Sequence, residues 1–179
     1  MELERIEWKS TVREGYVVLL RAQAELLLPC GAEKIREFYQ KTARACLLWA
    51  CEIWGEQLRE AFCALDGKGR ARFRTRQYHF FMRIPWEGDG YVCILCESTR
   101  STEDGGSDFH RISHVWKIDE QTALPKRQIL QLWRPELAKN KPSFLPDGLF
   151  KDGNEIVFFK NPTSKNGFLE AKSPMVESL

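Results

Sequence analysis

The longest regular pattern in the chain is a three-and-four spacing of apolar residues between positions 32 and 65. Charged residues fill the positions between them, a distribution typical of an amphipathic helix. We therefore predict one helix over 32–65, about 50 Å long, with a kink near Gly55 and an end at Asp66-Gly67-Lys68-Gly69. The apolar positions are Ile35, Phe38, Tyr39, Cys46, Leu47, Ala50, Ile53, Trp54, Leu58, Ala61, Phe62 and Leu65.

A different period governs the segments on either side of this helix. Residues 16–28 alternate apolar and polar side chains, which favours a strand, although their leucine and alanine content also permits a helix. Alternation returns after position 70 and predicts further strands and turns. In chain order these are a strand at 70–86, a hairpin turn at 87–90, a strand at 91–98, a polar loop at 100–108, a strand at 109–118, a helix at 124–139 and short strands at 142–149, 155–160 and 168–171.

The order of these elements predicts an α+β fold. We expect a two-layer sandwich in which one long helix and one shorter helix pack on a face of an antiparallel sheet. The length of 179 residues fits a single domain over 1–179. Its core is expected at about 16–172, with residues 1–15 and 173–179 at the periphery.

The charge balance argues against a dedicated nucleic-acid or membrane-surface protein. Lys and Arg number 27 against 25 Asp and Glu, a formal net charge of +2. No apolar run approaches the length of a membrane span. The first residues, Met1-Glu2-Leu3-Glu4-Arg5, lack the apolar stretch of a secretory signal. We therefore expect no membrane partner and a cytoplasmic location, and composition leaves the oligomeric state open.

Six cysteines are present, and we expect them to be reduced, as in the cytoplasm. Four of them, Cys46, Cys51, Cys63 and Cys93, have apolar neighbours and are predicted to be buried. Cys93-x-x-Cys96 lies in a predicted strand, where positions three apart point to opposite faces. We therefore predict no metal or redox site there, and no cofactor.

No common catalytic motif occurs in the chain. His110 and His114 stand four apart on a predicted strand, which separates them by about 13 Å, too far for one metal ion. Asp108 and His114 could form an acid/base pair near the polar loop, but polar residues on the exposed face of a strand are the simpler interpretation. We predict that the protein is not an enzyme.

Residues 67–86 contain six basic residues and no acidic one. Arg70, Arg72, Arg74 and Arg76 recur with period two, which on a strand would form a ladder between aromatic residues. Such a ladder is typical of single-stranded nucleic-acid binding. The alternative is that the ladder faces solvent or pairs with glutamates of the long helix, and the near-neutral total charge favours that alternative.

The segment Ser98–Asp119 contains the pair Gly105-Gly106 and then a strand that ends in an aromatic residue and an aspartate. It resembles the extracytoplasmic domain of RsiV-type anti-sigma factors, a domain of unknown function that also occurs in some peptidoglycan deacetylases. Residues 142–149 and 155–159 resemble that family's ending, and the similarity spans about 16–172. Two places depart from the family: Asp108 stands where a histidine is usual, and 161–167 matches only in part.

The resemblance implies a non-enzymatic binding or sensing domain that recognises a protein or a cell-wall glycan. A polar loop inside an otherwise tight series of strands is a common place for binding residues. We therefore predict ligand contacts at Asp104, Gly105, Gly106, Asp108 and His110. Nucleic-acid binding through Arg70–Arg76 is the alternative function.

Overall fold

The computed structural model describes residues 1–163 and 167–175, with Leu137 described by its backbone alone. The segment 161–167, which matches the resembled family only in part, and the predicted peripheral segment 173–179 lie partly outside these residues. The strands are β1 (Leu3–Glu14), β2 (Val17–Pro29), β3 (Arg76–Gly88), β4 (Tyr91–Ser101), β5 (Ser107–Lys117), β6 (Thr122–Ala123), β7 (Gly148–Asp152), β8 (Glu155–Lys160) and β9 (Leu169–Pro174). The helices are α1 (Glu33–Leu48), α2 (Gly55–Ala64), α3 (Gly67–Arg72) and α4 (Lys126–Trp133), with a π-helical segment at Trp49–Trp54 and a 3₁₀ turn at Pro135–Leu137.

The predicted α+β class is confirmed. Among the described residues, six strands form one sheet in the order β1-β2-β3-β4-β5-β6, and β7-β8-β9 form a second sheet. The chain divides into two compact units, Met1–Phe81 with Ser98–Asp108 (unit 1) and Met82–Glu97 with Phe109–Leu179 (unit 2). The predictions of a single domain, of a two-layer sandwich and of both helices on one face stay predictions.

Unit 1 begins with a strand in residues 1–15, a segment that was expected to lie at the periphery. β1 pairs antiparallel with β2 from Leu3 opposite Pro29 to Glu14 opposite Val17, with a register shift at Val12/Arg13. β2 then pairs with β3 in parallel, so the prediction of an antiparallel sheet is wrong at this position. Parallel neighbours need a crossover connection, and the long helix between β2 and β3 supplies it.

The predicted helix over 32–65 is confirmed as a continuous helical segment, 33–64. Apart from the seven-residue step between Ala43 and Ala50, its large buried residues recur every fourth position, which in a regular α-helix of 3.6 residues per turn would drift around the axis. The π-helical segment Trp49–Trp54 has a wider turn and brings Trp54 back to the buried face. It lies directly before Gly55, where the sequence predicts a kink. The buried positions include Ile35, Tyr39, Ala43, Ala50, Trp54, Leu58 and Phe62.

The core of unit 2 lies between helix α4 and those strands of the two sheets that belong to this unit. Antiparallel pairing joins β7 to β8 and β8 to β9. The prediction of a strand at 142–149 is largely wrong, because β7 begins only at Gly148. The helix predicted over 124–139 is shorter, because Arg134 adopts a left-handed conformation before Pro135 and ends α4. The core contains Cys93, Leu95, Val115, Trp133, Ala138, Phe150, Ile156, Val157, Phe158 and Phe159.

Candidate functional site

A cavity of about 440 Å³ opens in unit 2 between β5, α4 and the start of β7. We call it the β5 groove. Its apolar lining includes Ile112, Leu124, Ile129, Leu130, Leu149 and Phe159, and its polar lining includes His110, Lys126, Asp147 and Asn161. An apolar cavity with a few polar groups is the usual form of a small binding site.

Helix α4 forms one wall of the β5 groove. One of its faces packs into the core of unit 2, and another is exposed to solvent at the groove. Pro125 precedes α4 and its carbonyl accepts the N–H of Gln128, which starts the helix at Lys126. Trp133 is buried in the core of unit 2, whereas Leu130, three positions earlier, is 36% exposed. Ile112 of β5 is likewise 45% exposed. Two large apolar side chains therefore line the groove in contact with solvent.

The polar groups of the β5 groove differ in how far they are already paired. The Asn161 side chain accepts the Arg111 backbone N–H at 2.7 Å and donates to the Arg111 carbonyl at 2.8 Å. Asp147 accepts the Asn161 N–H at 2.8 Å. In the described parts of the chain, no ion pair or hydrogen bond engages the side chains of His110 and Lys126, and both are exposed. These two groups remain available to a ligand.

Behind the β5 groove lies a buried ion-pair network centred on Arg111. Its guanidinium donates through Nε to Glu97 at 2.6 Å and also pairs with Glu170. Arg83 reaches the same Glu97 carboxylate at 3.2 Å. The rings of Phe109, Phe150, Phe159 and Phe168 surround the Arg111 guanidinium at 4.8 to 5.7 Å. This network holds the central part of β5 against the core of unit 2.

The predicted polar loop at 100–108 is wrong in extent, because β4 continues to Ser101 and β5 starts at Ser107. Between them Thr102 donates its N–H to the Gly106 carbonyl at 3.0 Å, and Gly105 takes a positive φ of 87°. Asp104 accepts the Thr102 hydroxyl and, at 3.2 Å, the Gly106 N–H. These bonds hold the pKa of Asp104 below its ordinary range. The segment is a tight turn that occupies its own polar groups.

The five predicted ligand residues belong to two different units. Asp104, Gly105, Gly106 and Asp108 lie in unit 1, whereas His110 lies in unit 2 and lines the β5 groove. Asp108 pairs with Arg100 at 2.6 Å. Ligand binding by these residues stays a prediction, and His110 is the one among them that lines this groove.

The arginine ladder predicted at 70–76 is wrong as a strand. Arg70 and Arg72 lie in helix α3, which Asp66 caps by accepting the Gly69 N–H at 2.6 Å, and only Arg76 belongs to β3. Asp66 stabilises the start of this helix as its N-cap residue. The cap favours a helix over the strand that the alternation of charged residues predicted. Arg70 donates to the Cys63 carbonyl, and Arg76 donates to the Thr102 carbonyl, each at 2.7 Å.

A cavity of about 400 Å³ in unit 1 collects some of the residues singled out in the sequence. Its lining contains the cations Arg72, Arg74 and Arg76 together with the acidic residues Glu103 and Asp104. Carboxylates therefore share this cavity with the arginines. Nucleic-acid binding stays a prediction, without the ladder on which it was based.

The hypothesis of an acid/base pair at Asp108 and His114 does not fit β5. Both residues lie on this one strand, where six positions span about 20 Å. Burial lowers the pKa of His114. The prediction that the protein is not an enzyme is not tested by this geometry and stays a prediction.

All six cysteines are free. Cys93 and Cys96 are buried in β4, and burial raises the pKa of Cys93 to about 12, which leaves an unreactive thiol. The prediction of a buried Cys63 is wrong, because it lies exposed near the end of α2. Within 1–163 and 167–175, no group of three or more His, Cys, Asp or Glu is placed to hold a metal ion. No described helix has both the length and the apolar character of a membrane span.

Comparison with known proteins gives a relationship of fold. No family model matches the sequence, and no curated protein matches it. The structure is similar to the crystal structure of a DUF3298 family protein from Pseudomonas aeruginosa PAO1, with a TM-score of 0.57 and 10% identity over 97% of this chain and 90% of that one. A member of the same family from Bacteroides fragilis NCTC 9343 covers the same shares, also at 10% identity, with a TM-score of 0.47.

The chain has a DUF3298-type fold. At 10% identity the likeness to the P. aeruginosa protein concerns the fold alone. Sequence reasoning identified only His110 among the polar residues of the β5 groove. No signal in the sequence sets Leu130 apart, because it adjoins Ile129 at the edge of the apolar face of α4.

Proposed function

We propose that this protein is a non-enzymatic binding domain that holds an extended, apolar segment of a partner protein in the β5 groove. The observation that carries the proposal is the 440 Å³ cavity in unit 2, whose mainly apolar lining includes the unpaired side chains of Lys126 and His110 within the described ranges. Burying apolar side chains of a partner against Ile112 and Leu130 provides the driving force, at about 25 cal/mol for each Å² removed from water.

The charges at the rim define the chemistry of the partner segment. Lys126 and His110 have no ion pair within the described ranges, so an acidic residue beside the apolar side chain gains an attractive partner. Asp147 accepts the Asn161 N–H but has no ion pair among the described residues, so an acidic residue of the partner is expected beside Lys126 and His110 and not beside Asp147. We therefore expect a segment with one or two large apolar residues next to Asp or Glu.

A protein segment suits this groove better than a cell-wall glycan does. Sugar hydroxyls need hydrogen-bonding partners when they are buried, and the surface that lines the groove is mainly apolar. The amide of Asn161, which could bind a hydroxyl, is occupied on both sides by the Arg111 backbone.

The proposal includes a role like that of the RsiV-type sensor domain, whose sequence resemblance supports recognition of a protein. It also includes a cytoplasmic location, which the six free cysteines support. In this account Asp104, Gly105, Gly106 and Asp108 shape the turn before β5, and His110 contacts the ligand.

The test begins with a peptide library displayed on phage and selected against the immobilised full chain. The synthetic form of a selected peptide is then titrated into the wild type, Leu130→Asp and Lys126→Glu by calorimetry. We expect Leu130→Asp to weaken binding by about tenfold or more and Lys126→Glu to weaken it by about fivefold for acidic peptides. The control is Tyr16→Asp, which changes a fully exposed residue of unit 1 and leaves affinity unchanged.

Two results would contradict the proposal. One is a set of selected peptides that bind Leu130→Asp as tightly as the wild type. The other is the absence of peptide binding together with saturable binding of chitotetraose, a defined glycan probe, which would favour the cell-wall ligand instead.

A further inference from the structure

The long helix of unit 1 carries an apolar surface that lies outside the β5 groove. Leu48 is 57% exposed, Ile53 is 52% exposed and Trp49 is 41% exposed. All three lie at the π-helical segment or next to it. Single exposed apolar residues are common on protein surfaces, but three large ones grouped on one helix mark a contact surface. We call Leu48, Trp49 and Ile53 the helix patch.

The charges along the same helix are arranged with opposite signs on the two sides of the helix patch. Lys41 and Arg44 precede it, and Glu52, Glu56 and Glu60 occupy its C-terminal part, all of them exposed. Lys41 pairs only with Glu37 on the surface, and Glu60 has no ion pair in the described part of the chain. The charges next to the patch are therefore basic on its N-terminal side, at Lys41 and Arg44, and mainly acidic on its C-terminal side, where Arg59 pairs with Glu56.

This arrangement is complementary to itself when one copy is turned end for end. In an antiparallel pair of these helices, Leu48 of one copy meets Ile53 of the other, and Lys41 of one copy meets Glu60 of the other. The same contacts recur at the symmetry-related position, as an isologous two-fold interface requires. A parallel arrangement would place like charges together and is disfavoured.

We propose that the chain forms a two-fold symmetric homodimer through antiparallel contact of the two long helices at the helix patch. The occupant of the patch is a second copy of this chain. Turned end for end, that copy places its acidic residues opposite the basic residues of the first copy. The helix patch belongs to unit 1 and the β5 groove to unit 2, so the two proposals rest on different residues. This inference does not depend on the proposed peptide-binding function.

Sedimentation equilibrium of the full chain tests the proposal over a range of concentrations. We expect the weight-average mass to rise from 20.9 kDa towards twice that value with increasing concentration. Ile53→Asp places a charge in the centre of the patch and is expected to raise the dimer dissociation constant by about tenfold or more. Leu130→Asp, with a comparable change at the β5 groove, is the matched control and is expected to dimerise as the wild type does.

A charge exchange distinguishes the antiparallel dimer from unspecific association of apolar surfaces. Lys41→Glu is expected to raise the dissociation constant by about fivefold, because it then faces Glu60 of the other copy. Combining Lys41→Glu with Glu60→Lys restores the attraction and is expected to restore the wild-type constant. Circular dichroism verifies that each variant is folded.

Three results would overturn the proposal. The first is a wild type that remains at 20.9 kDa at every concentration. The second is an Ile53→Asp variant that dimerises with the wild-type constant. The third is a double variant, Lys41→Glu with Glu60→Lys, that dimerises no better than Lys41→Glu alone.

Discussion

The guanidinium of Arg111 donates to the carboxylate of Glu97 at 2.6 Å in the interior of unit 2. Their side chains are 8% and 3% exposed. Removal of one partner from a buried ion pair leaves an uncompensated charge, which costs about 3–5 kcal/mol. We therefore expect Glu97→Gln and Arg111→Met each to lower the free energy of unfolding by this amount in urea denaturation.

Arg83→Met is the control for this pair. Arg83 contacts the same Glu97 carboxylate, but its side chain is 41% exposed, so we expect a loss of less than about 1 kcal/mol. The double variant Arg111→Met/Glu97→Gln should recover part of the loss, because no buried charge then remains without a partner. Equal effects of Arg83→Met and Arg111→Met would show that burial does not govern this network.

Gly55 lies against Val12 of β1, and this contact predicts an unusual response to alanine. A Cβ at position 55 would meet Val12 Cγ2 at 2.8 Å and Cγ1 at 3.4 Å. Helix propensity alone would favour alanine by about 1 kcal/mol, but the stiff valine side chain cannot move aside easily. We expect Gly55→Ala to destabilise the protein by about 1–3 kcal/mol, measured by thermal and urea unfolding.

The companion variant for Gly55→Ala removes the opposing side chain. In a Val12→Ala background the added methyl group has room, so Gly55→Ala should there be neutral or stabilising. If Gly55→Ala destabilises both backgrounds equally, the contact with Val12 is not the cause.

His114 gives the folded protein a dependence on mildly acidic pH. Burial lowers the pKa of His114 below its ordinary value of 6.5. The unfolded chain therefore binds a proton more readily than the folded chain, and stability falls as pH drops below about 6.5. We expect a lower urea midpoint at pH 5.5 than at pH 7.5, and a smaller difference in His114→Gln. An unchanged difference in that variant would assign the pH dependence to other groups.

The arginines of α3 and β3 are not expected to bind single-stranded nucleic acid. Arg70 and Arg76 donate to backbone carbonyls, and Glu103 and Asp104 line the cavity that contains Arg72 and Arg74. We expect no measurable anisotropy change with a fluorescent thymidine oligonucleotide at low salt. Salt-sensitive binding that is lost in Arg72→Ala/Arg74→Ala would contradict this expectation.

The long helix and most strands could be predicted from the sequence, because their apolar patterns repeat over many residues and involve only neighbours in the chain. The helix over 33–64 and strand β8 fall where the apolar spacing placed them. The parallel neighbour of β2 could not be predicted in this way, because strand pairing depends on contacts between residues far apart in the chain. β1 was missed because most of its side chains are exposed and its apolar content is low.

The candidate site was predictable only in part for a similar reason. The β5 groove forms where α4, β5 and the start of β7 meet, and no local pattern connects Leu130 with Ile112 or Asn161. The turn at 102–106 shows the opposite case, in which a polar, glycine-rich sequence indicated a loop, although a longer one than the turn that forms. Its hydrogen bonds at Thr102, Asp104 and Gly106 occupy the polar groups that the sequence suggested for a ligand.

The most direct test of peptide binding in the β5 groove is a titration of the ¹⁵N-labelled full chain with a selected peptide, followed by two-dimensional NMR. We predict saturable shift changes of the backbone amides of His110–Ser113 and Lys126–Leu130, with the amides of the long helix unaffected. Saturable changes confined to residues outside the β5 groove, with those two stretches unmoved, would contradict the account.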